Sequence, residues 1–269
     1  MPKHPLALAS GNLKEFTPVE TVHAAAAGGW DMVGVWVDPD TWSEETTSKV
    51  LAALHETKLE VIDVEVIRLY PGPLTSDASA FRILDVGLAI GARNALIMSE
   101  DPDSKETAEK LRALCEYVAD KGGGMRVNLE FGYFSSGCRT LHEANAILDI
   151  VDHPLAAILI DVLHLSRGGG SASDIKRIPK NRISYAQICD APAVGPDRED
   201  QAAILKEAVE NRVLIGEGEL DVMGIVRALP EGTPLSDETR SRAVNERWRD
   251  PSERSRAVFG ATSKVLRLL

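Results

Sequence analysis

The sequence predicts an α/β fold: a single (β/α)8 barrel spanning residues 1–269, with parallel strands that alternate with helices. Two observations predict it. Short apolar runs recur about every 30 residues, eight in all, and the stretches between them are long enough to carry a returning helix. Polar side chains also fall late in the fifth to eighth runs, where a barrel gathers its strand ends onto one rim.

The strand candidates are PLALA at 5–9, DMVGVWV at 31–37, VIDVEVI at 61–67, ARNALIM at 92–98, MRVNLEF at 125–131, AAILIDV at 156–162, ISYAQIC at 183–189 and the weaker PLSDE at 234–238. Between them, PVETVHAAAA at 18–27 has Thr17 as its cap and Glu20 three positions later, a pairing that satisfies early helical amides. Residues 43–57 place Glu44 and Glu45 in a first turn, followed by an apolar stripe of Val50, Leu51 and Leu54. Helical spacing also marks 77–90 and 104–119, which run into Gly91 and into the Gly122–Gly124 cluster. Glycine suits such exits because it accepts positive φ without a Cβ clash. The terminal stretch 255–269 reads as a helix that closes the ring, with Gly260 a mild weakness in it.

The last third is less regular. Around 190–222 lies a long insertion of loop and helix, with a helical stretch at 201–211 and the turn-like GEGELD at 216–221. A long loop over a barrel mouth gives this pattern, and so does a two-domain α/β arrangement. No linker rich in Pro, Ser or Gly marks a boundary.

The formal charge of -11, from 41 acidic residues against 30 Lys plus Arg, opposes binding to nucleic acid or an anionic membrane surface. No apolar run approaches the roughly 18–20 residues needed to span a bilayer, and the start MPKHPLALASGNLKEF lacks a long apolar stretch with a cleavage signal. The expected location is cytoplasmic. Cys115, Cys138 and Cys189 are few, odd in number and without metal-type spacing, which fits reduced thiols.

Glu130, Asp161 and Glu238 close their runs, and Gln187 sits late in its own. In a barrel these four converge although they span 108 positions of sequence. Three carboxylates and an amide oxygen form a hard donor set suited to Mg2+ or Mn2+, and a divalent ion would relieve the mutual repulsion of the acids. Each acid taken alone more often reads as a helix cap or a solvated side chain than as a ligand. His164, three residues after Asp161, falls where the strand should be turning into a loop, and is either a substrate contact or a surface or loop-capping histidine. Arg212, beside the glycine-rich turn, is either an anion or hydroxyl contact or a solvated side chain. The other five histidines, His4, His23, His55, His142 and His153, read as structural.

The strings NLEFGY at 128–133, LIDVLHL at 159–165, YAQICDA at 185–191, RVLIGEGELD at 212–221 and PLSDE at 234–238 resemble the xylose-isomerase-like TIM barrel superfamily, in its sugar phosphate isomerase/epimerase branch. The resemblance covers essentially the whole chain. It implies a divalent ion held by Glu130, Asp161, Gln187 and Glu238, with Glu130 and Glu238 also the acid–base pair on opposite sides of the substrate carbon. It implies substrate contacts from His164 and Arg212, and an orienting or structural role for Asp190. Two features depart from the pattern: Gln187 stands where the epimerases usually carry histidine, and Ser236 and Asp237 dilute the eighth strand.

The activity this implies is divalent-metal-dependent isomerisation or epimerisation of a ketose, keto-polyol or related sugar through an enediolate. A metal-dependent dehydratase or lyase of the same substrates shares that intermediate. A non-catalytic sugar-binding or assembly subunit on the same barrel remains the reading from a different class. An endonuclease is disfavoured by the acidic balance and by the absence of a multi-histidine cluster. No GxGxxG or Walker motif calls for a nucleotide cofactor. The partner expected is a small sugar or polyol; a wide mouth also leaves room for a neighbouring subunit, in a homo-oligomer or with another chain, to narrow it.

Overall fold

Eight strands pair in sequence order, all parallel, and the last returns to the first: β1 (Leu6–Leu8), β2 (Met32–Trp36), β3 (Glu60–Leu69), β4 (Asn94–Ser99), β5 (Arg126–Glu130), β6 (Ala156–Asp161), β7 (Ile183–Ile188) and β8 (Leu235–Asp237). The computed structural model describes residues 4–75 and 79–268. Closure removes both sheet edges, so each strand is paired on two sides.

The helices are α1 (Pro18–Gly28), α2 (Glu44–Thr57), α3 (Ser79–Ala89), α4 (Ser104–Asp120), α5 (Leu141–Val151), α6 (Val162–Arg167), α7 (Ala172–Ile175), α8 (Gln201–Glu210), α9 (Val222–Ala228), α10 (Arg242–Arg247) and α11 (Pro251–Leu266). Thr17 and Glu20 form the reciprocal cap of α1, and Ser43 caps α2 through the Thr46 amide. Gly91 and Gly122 take φ of 74° and 71°, the left-handed exits their positions required. The predicted helix at 77–90 is α3, and its first two positions lie outside the described residues. The terminal helix starts earlier than its apolar pattern implied, at Pro251 with Asp250 as cap, and passes through Gly260 unbroken. It closes the ring against α1, where Trp30 and Phe259 meet edge to face at 5.1 Å and the Trp30 indole donates to Ser255 Oγ at 3.0 Å.

The main apolar core lies between strands and helices; a second cluster inside the barrel contains Ala7, Met32, Ile62, Leu96, Met98, Leu159 and Tyr185. The weak eighth strand is explained by its partners. Asp237 accepts from Thr262 Oγ1 at 2.5 Å and from the amide and hydroxyl of Thr239 at 3.0 and 2.7 Å, so a carboxylate is satisfied in a buried strand. All three cysteines are free and buried. Among the described residues no helix is long and apolar enough to cross a membrane.

One buried acid inside the barrel is not satisfied. Asp63 on β3 is fully buried, and the Tyr185 hydroxyl acts on it without forming a well-aligned bond. Burial, with a smaller contribution from Glu238, pushes its carboxyl up to about 7. In the unfolded chain the group ionises near its ordinary 3.8, so between these values the folded state holds the extra proton and stability falls as pH rises. Asp63→Asn is expected to remove that loss. Urea midpoints measured across this window decide the matter: an identical pH slope in wild type and variant would refute the assignment.

Candidate active site

The rim at the C-terminal ends of β5 to β8 holds most of the buried charge. Glu130 is the last residue of β5, Asp161 the last of β6, and Gln187 pairs in register with Asp161 from β7. Glu238 follows β8 directly, its amide bonded to the Ile188 carbonyl at 2.9 Å. All four are buried. Gly11 leaves the space Glu238 occupies, since a Cβ there would lie 2.9 Å from Glu238 Oε1.

His164 does not lie in a loop. Asp161 caps α6 by accepting the His164 amide at 2.8 Å, so the helix begins as soon as the strand ends and His164 sits in its first turn. The imidazole packs against Phe134 and Tyr133, with ring centroids 5.2 and 5.4 Å away. Its Nε2 is 3.7 Å from Glu130 Oε1, and its Nδ1 is buried without a hydrogen-bond partner. Burial pushes the imidazole down to about 4, leaving it neutral at pH 7. One ligand atom from each of Glu130, Asp161 and His164 lies within 4.8 Å of the other two, a compact donor cluster in which His164 was expected only as a substrate contact.

Of the two readings of Arg212, the solvated side chain is excluded. Rather than standing in solvent beside a turn, it is 2% exposed and joins two of the acids: Nη1 lies 2.7 Å from Asp161 Oδ2 and Nη2 2.9 Å from Glu238 Oε2. Its Nε donates to the Ala208 carbonyl at 2.9 Å, so α8 fixes the guanidinium from above. Glu238 therefore stands outside the compact donor cluster, drawn towards the arginine.

These contacts set the charges. Burial opposes ionisation of Asp161, but Arg212 and His164 together outweigh it and hold the carboxyl below its ordinary range. Glu130 forms no ion pair with Arg212, and burial followed by the charges of Asp161 and Glu238 pushes it well above that range, with Arg212 opposing. Glu238 is raised by burial, with Arg212 and Arg240 opposing.

The segment after β7 closes over this cluster. Asp190 accepts from the amides of Ala191, Gly216 and Leu220 at 2.9, 3.0 and 3.0 Å, pinning the glycine-rich turn to the strand end. The Tyr133 hydroxyl and Arg167 both bind Glu207 on α8, at 2.9 and 2.6 Å. Beneath lies a cavity of about 360 Å3 lined by Glu130, His164, Arg212 and Glu238.

Two acids in this region were not recognised in the sequence, Asp63 and Glu65 on β3. Glu65 lines the same cavity, accepts from Ser10 Oγ and N at 2.7 and 3.2 Å, and is raised well above its ordinary range by burial, Asp63 and Glu238. The available signal was their spacing: two carboxylates two residues apart among valines and isoleucines point to one face, here the barrel interior.

The profile of the xylose isomerase-like TIM barrel matches residues 22–258. The chain belongs to that family. Among curated proteins, this xylose isomerase-like barrel is 26% identical over 164 residues to the 3-dehydroshikimate dehydratase of Pseudomonas putida, covering 60% of the chain but only 24% of that protein's length. Among solved structures it superposes with a TM-score of 0.80 at 21% identity on a xylose isomerase-like barrel fused to 4-hydroxyphenylpyruvate dioxygenase, covering 96% of this chain and 42% of the fusion. It matches the IOLI protein, solved with a bound zinc atom, with TM-score 0.77 and 14% identity over 97% of this chain and 98% of the other. Against a D-allulose 3-epimerase from Methylomonas sp. in complex with D-allulose the values are 0.69 and 16%, over 98% of each chain. At these identities the structural likeness is one of fold.

Removing Arg212 would leave Asp161 and Glu238 buried without a counter-charge. Arg212→Met is expected to lower stability by about 3–5 kcal/mol. Urea denaturation of metal-free protein checks this, and a loss below about 1 kcal/mol would mean the two carboxylates are not held as charges by the arginine.

Proposed function

We propose that the chain is a divalent-metal-dependent isomerase or epimerase of a ketose, keto-polyol or related sugar, with Glu130, Asp161, Gln187 and Glu238 holding the ion. The observation that carries this reading is Gln187. Its carboxamide is completely buried beside Asp161, and neither its oxygen nor its nitrogen has a hydrogen-bond partner. An amide left so is costly, and a cation that takes a lone pair of its oxygen removes the oxygen's share of that cost. Oxygen donors from Glu130, Asp161 and Glu238, with Gln187, fit Mn2+ or Mg2+; His164 adds a nitrogen that admits softer ions. A protein of the same fold, IOLI, was solved with a bound zinc atom, which supports a divalent ion without choosing among them.

When bound, the ion supplies Lewis acidity to a substrate carbonyl and lowers the cost of enolising it. The chain's own residues do the rest. Glu130, ionised in the charge-compensated site, takes the proton from the carbon next to the carbonyl. The proton returns either from Glu130, which has just taken it, or from Glu238 on the side of β8 once that carboxylate has taken one up from solvent. Return to the same carbon inverts it; return to the neighbouring carbon, with a proton shift between oxygens, isomerises. His164, neutral at pH 7, offers an N–H to a substrate oxygen, while Arg212 keeps Asp161 and Glu238 in place and reaches a substrate hydroxyl. We read residues 1–269 as one barrel domain in which the segment around 190–222 shields this chemistry from water.

The similarity to a 3-dehydroshikimate dehydratase favours a second reading, in which the same enediolate loses a β-hydroxyl instead of being reprotonated. Solvent-deuterium exchange into a panel of ketoses and keto-polyols separates the outcomes. With Mn2+ present, wild type is expected to incorporate deuterium, and Glu130→Gln to slow this by about 100-fold or more. Release of water with formation of a conjugated enone would assign the dehydratase. Absence of exchange, elimination and saturable Mn2+ binding together would leave a non-catalytic sugar-binding or assembly barrel.

A further inference from the structure

The part of the rim away from Glu130 and His164 gathers three cations. Lys14 follows β1, Arg68 lies near the end of β3 and Arg240 follows β8, and all three line the cavity that holds Glu130 and Glu238. Arg68 is engaged by Glu100 at 2.9 Å. Among the described residues no carboxylate oxygen comes within 4.0 Å of the Lys14 ammonium or the Arg240 guanidinium. The Lys14 ammonium instead sits 4.1 Å above the centre of the Trp36 ring.

This shortage is local. Elsewhere in a chain of net charge -11, surface cations find acids readily, as in Arg82–Asp40, Arg182–Asp149 and Arg242–Glu210. Glu65 compensates these cations only in part: its Oε1 takes two hydrogen bonds from Ser10, and burial, Asp63 and Glu238 push its carboxyl up while Arg240 opposes them. Partial burial, then Arg240 and Arg68, press the Lys14 ammonium towards its neutral form, a repulsion that an anion would relieve.

We propose that Lys14, Arg68 and Arg240 form an anion subsite at the barrel mouth, and that the substrate is a hydroxy-ketone or keto-polyol carrying a carboxylate or a phosphate group. The subsite stands on its own geometry; the keto end of the substrate rests on the function proposed above. A planar guanidinium pairs with either anion through two parallel N–H donors, and a mouth lined by cations draws such a substrate in from bulk. The anionic group then sits over β8, β1 and β3 while the carbonyl end reaches Glu130 across the cavity.

The test is titration of Mn2+-loaded and metal-free protein with inorganic phosphate and, separately, with acetate, followed by calorimetry and tryptophan fluorescence. Trp36→Phe assigns the optical signal, because an anion that draws Lys14 away changes the charge above that ring. Saturable binding of at least one anion is expected, weakened about tenfold or more by Lys14→Gln and by Arg240→Gln and reduced by added KCl. The preferred anion distinguishes a phosphorylated from a carboxylated substrate. Absence of saturable binding of either anion, or binding that both substitutions leave unchanged, overturns the subsite. Glu130→Gln separates the two proposals: it is expected to retain anion binding while abolishing exchange, so a failed exchange assay with intact anion binding counts against the function and not against the subsite.

Discussion

The buried pairing of one guanidinium with two carboxylates from different strands organises the mouth of this barrel. Arg212 binds Asp161 at the end of β6 and Glu238 just after β8, and all three are almost wholly removed from water. Neither acid could be kept charged at that depth alone. The arginine is held in turn by the Ala208 carbonyl of α8, and the turn that follows it is pinned by Asp190. The segment after β7 is thus tied to the charges it covers.

Positive charge from Arg212 still leaves the site short. It compensates Asp161 well enough to keep that carboxyl below its ordinary range, yet Glu130 and Glu238 remain raised and Gln187 has no partner at all. A divalent ion among Glu130, Asp161, Gln187 and Glu238 would answer both deficits at once, with Glu238 shared between ion and arginine. The mouth also has a direction, with Glu130, Asp161 and His164 towards β5 and β6 and with Lys14 and Arg240, which form no ion pair among the described residues, beside β1 and β8.

Much of this was legible in the sequence because a parallel barrel turns chain position into spatial position. Glu130, Asp161 and Gln187 end apolar runs, and equivalent strand ends must meet on one rim. The burial of Arg212 was not legible because it depends on α8 folding over it, a tertiary event that no local pattern encodes. His164 was assigned to a loop because the cap that starts α6 is Asp161 itself, whose ligand-like position hid its second role. Asp63 and Glu65 went unread because alternation within a buried strand resembles ordinary surface patterning. The polar eighth strand looked weak because its partner, Thr262, comes from a helix 25 residues later.

The central claim is that one cation joins four side chains from neighbouring strands. A crystal structure of protein soaked in Mn2+, with anomalous data collected at the manganese edge, tests it most directly. The account predicts one strong peak about 2.0–2.3 Å from oxygens of Glu130, Asp161, Gln187 and Glu238. A peak elsewhere, or a Gln187 carboxamide still unpartnered beside a saturated ion, would contradict it.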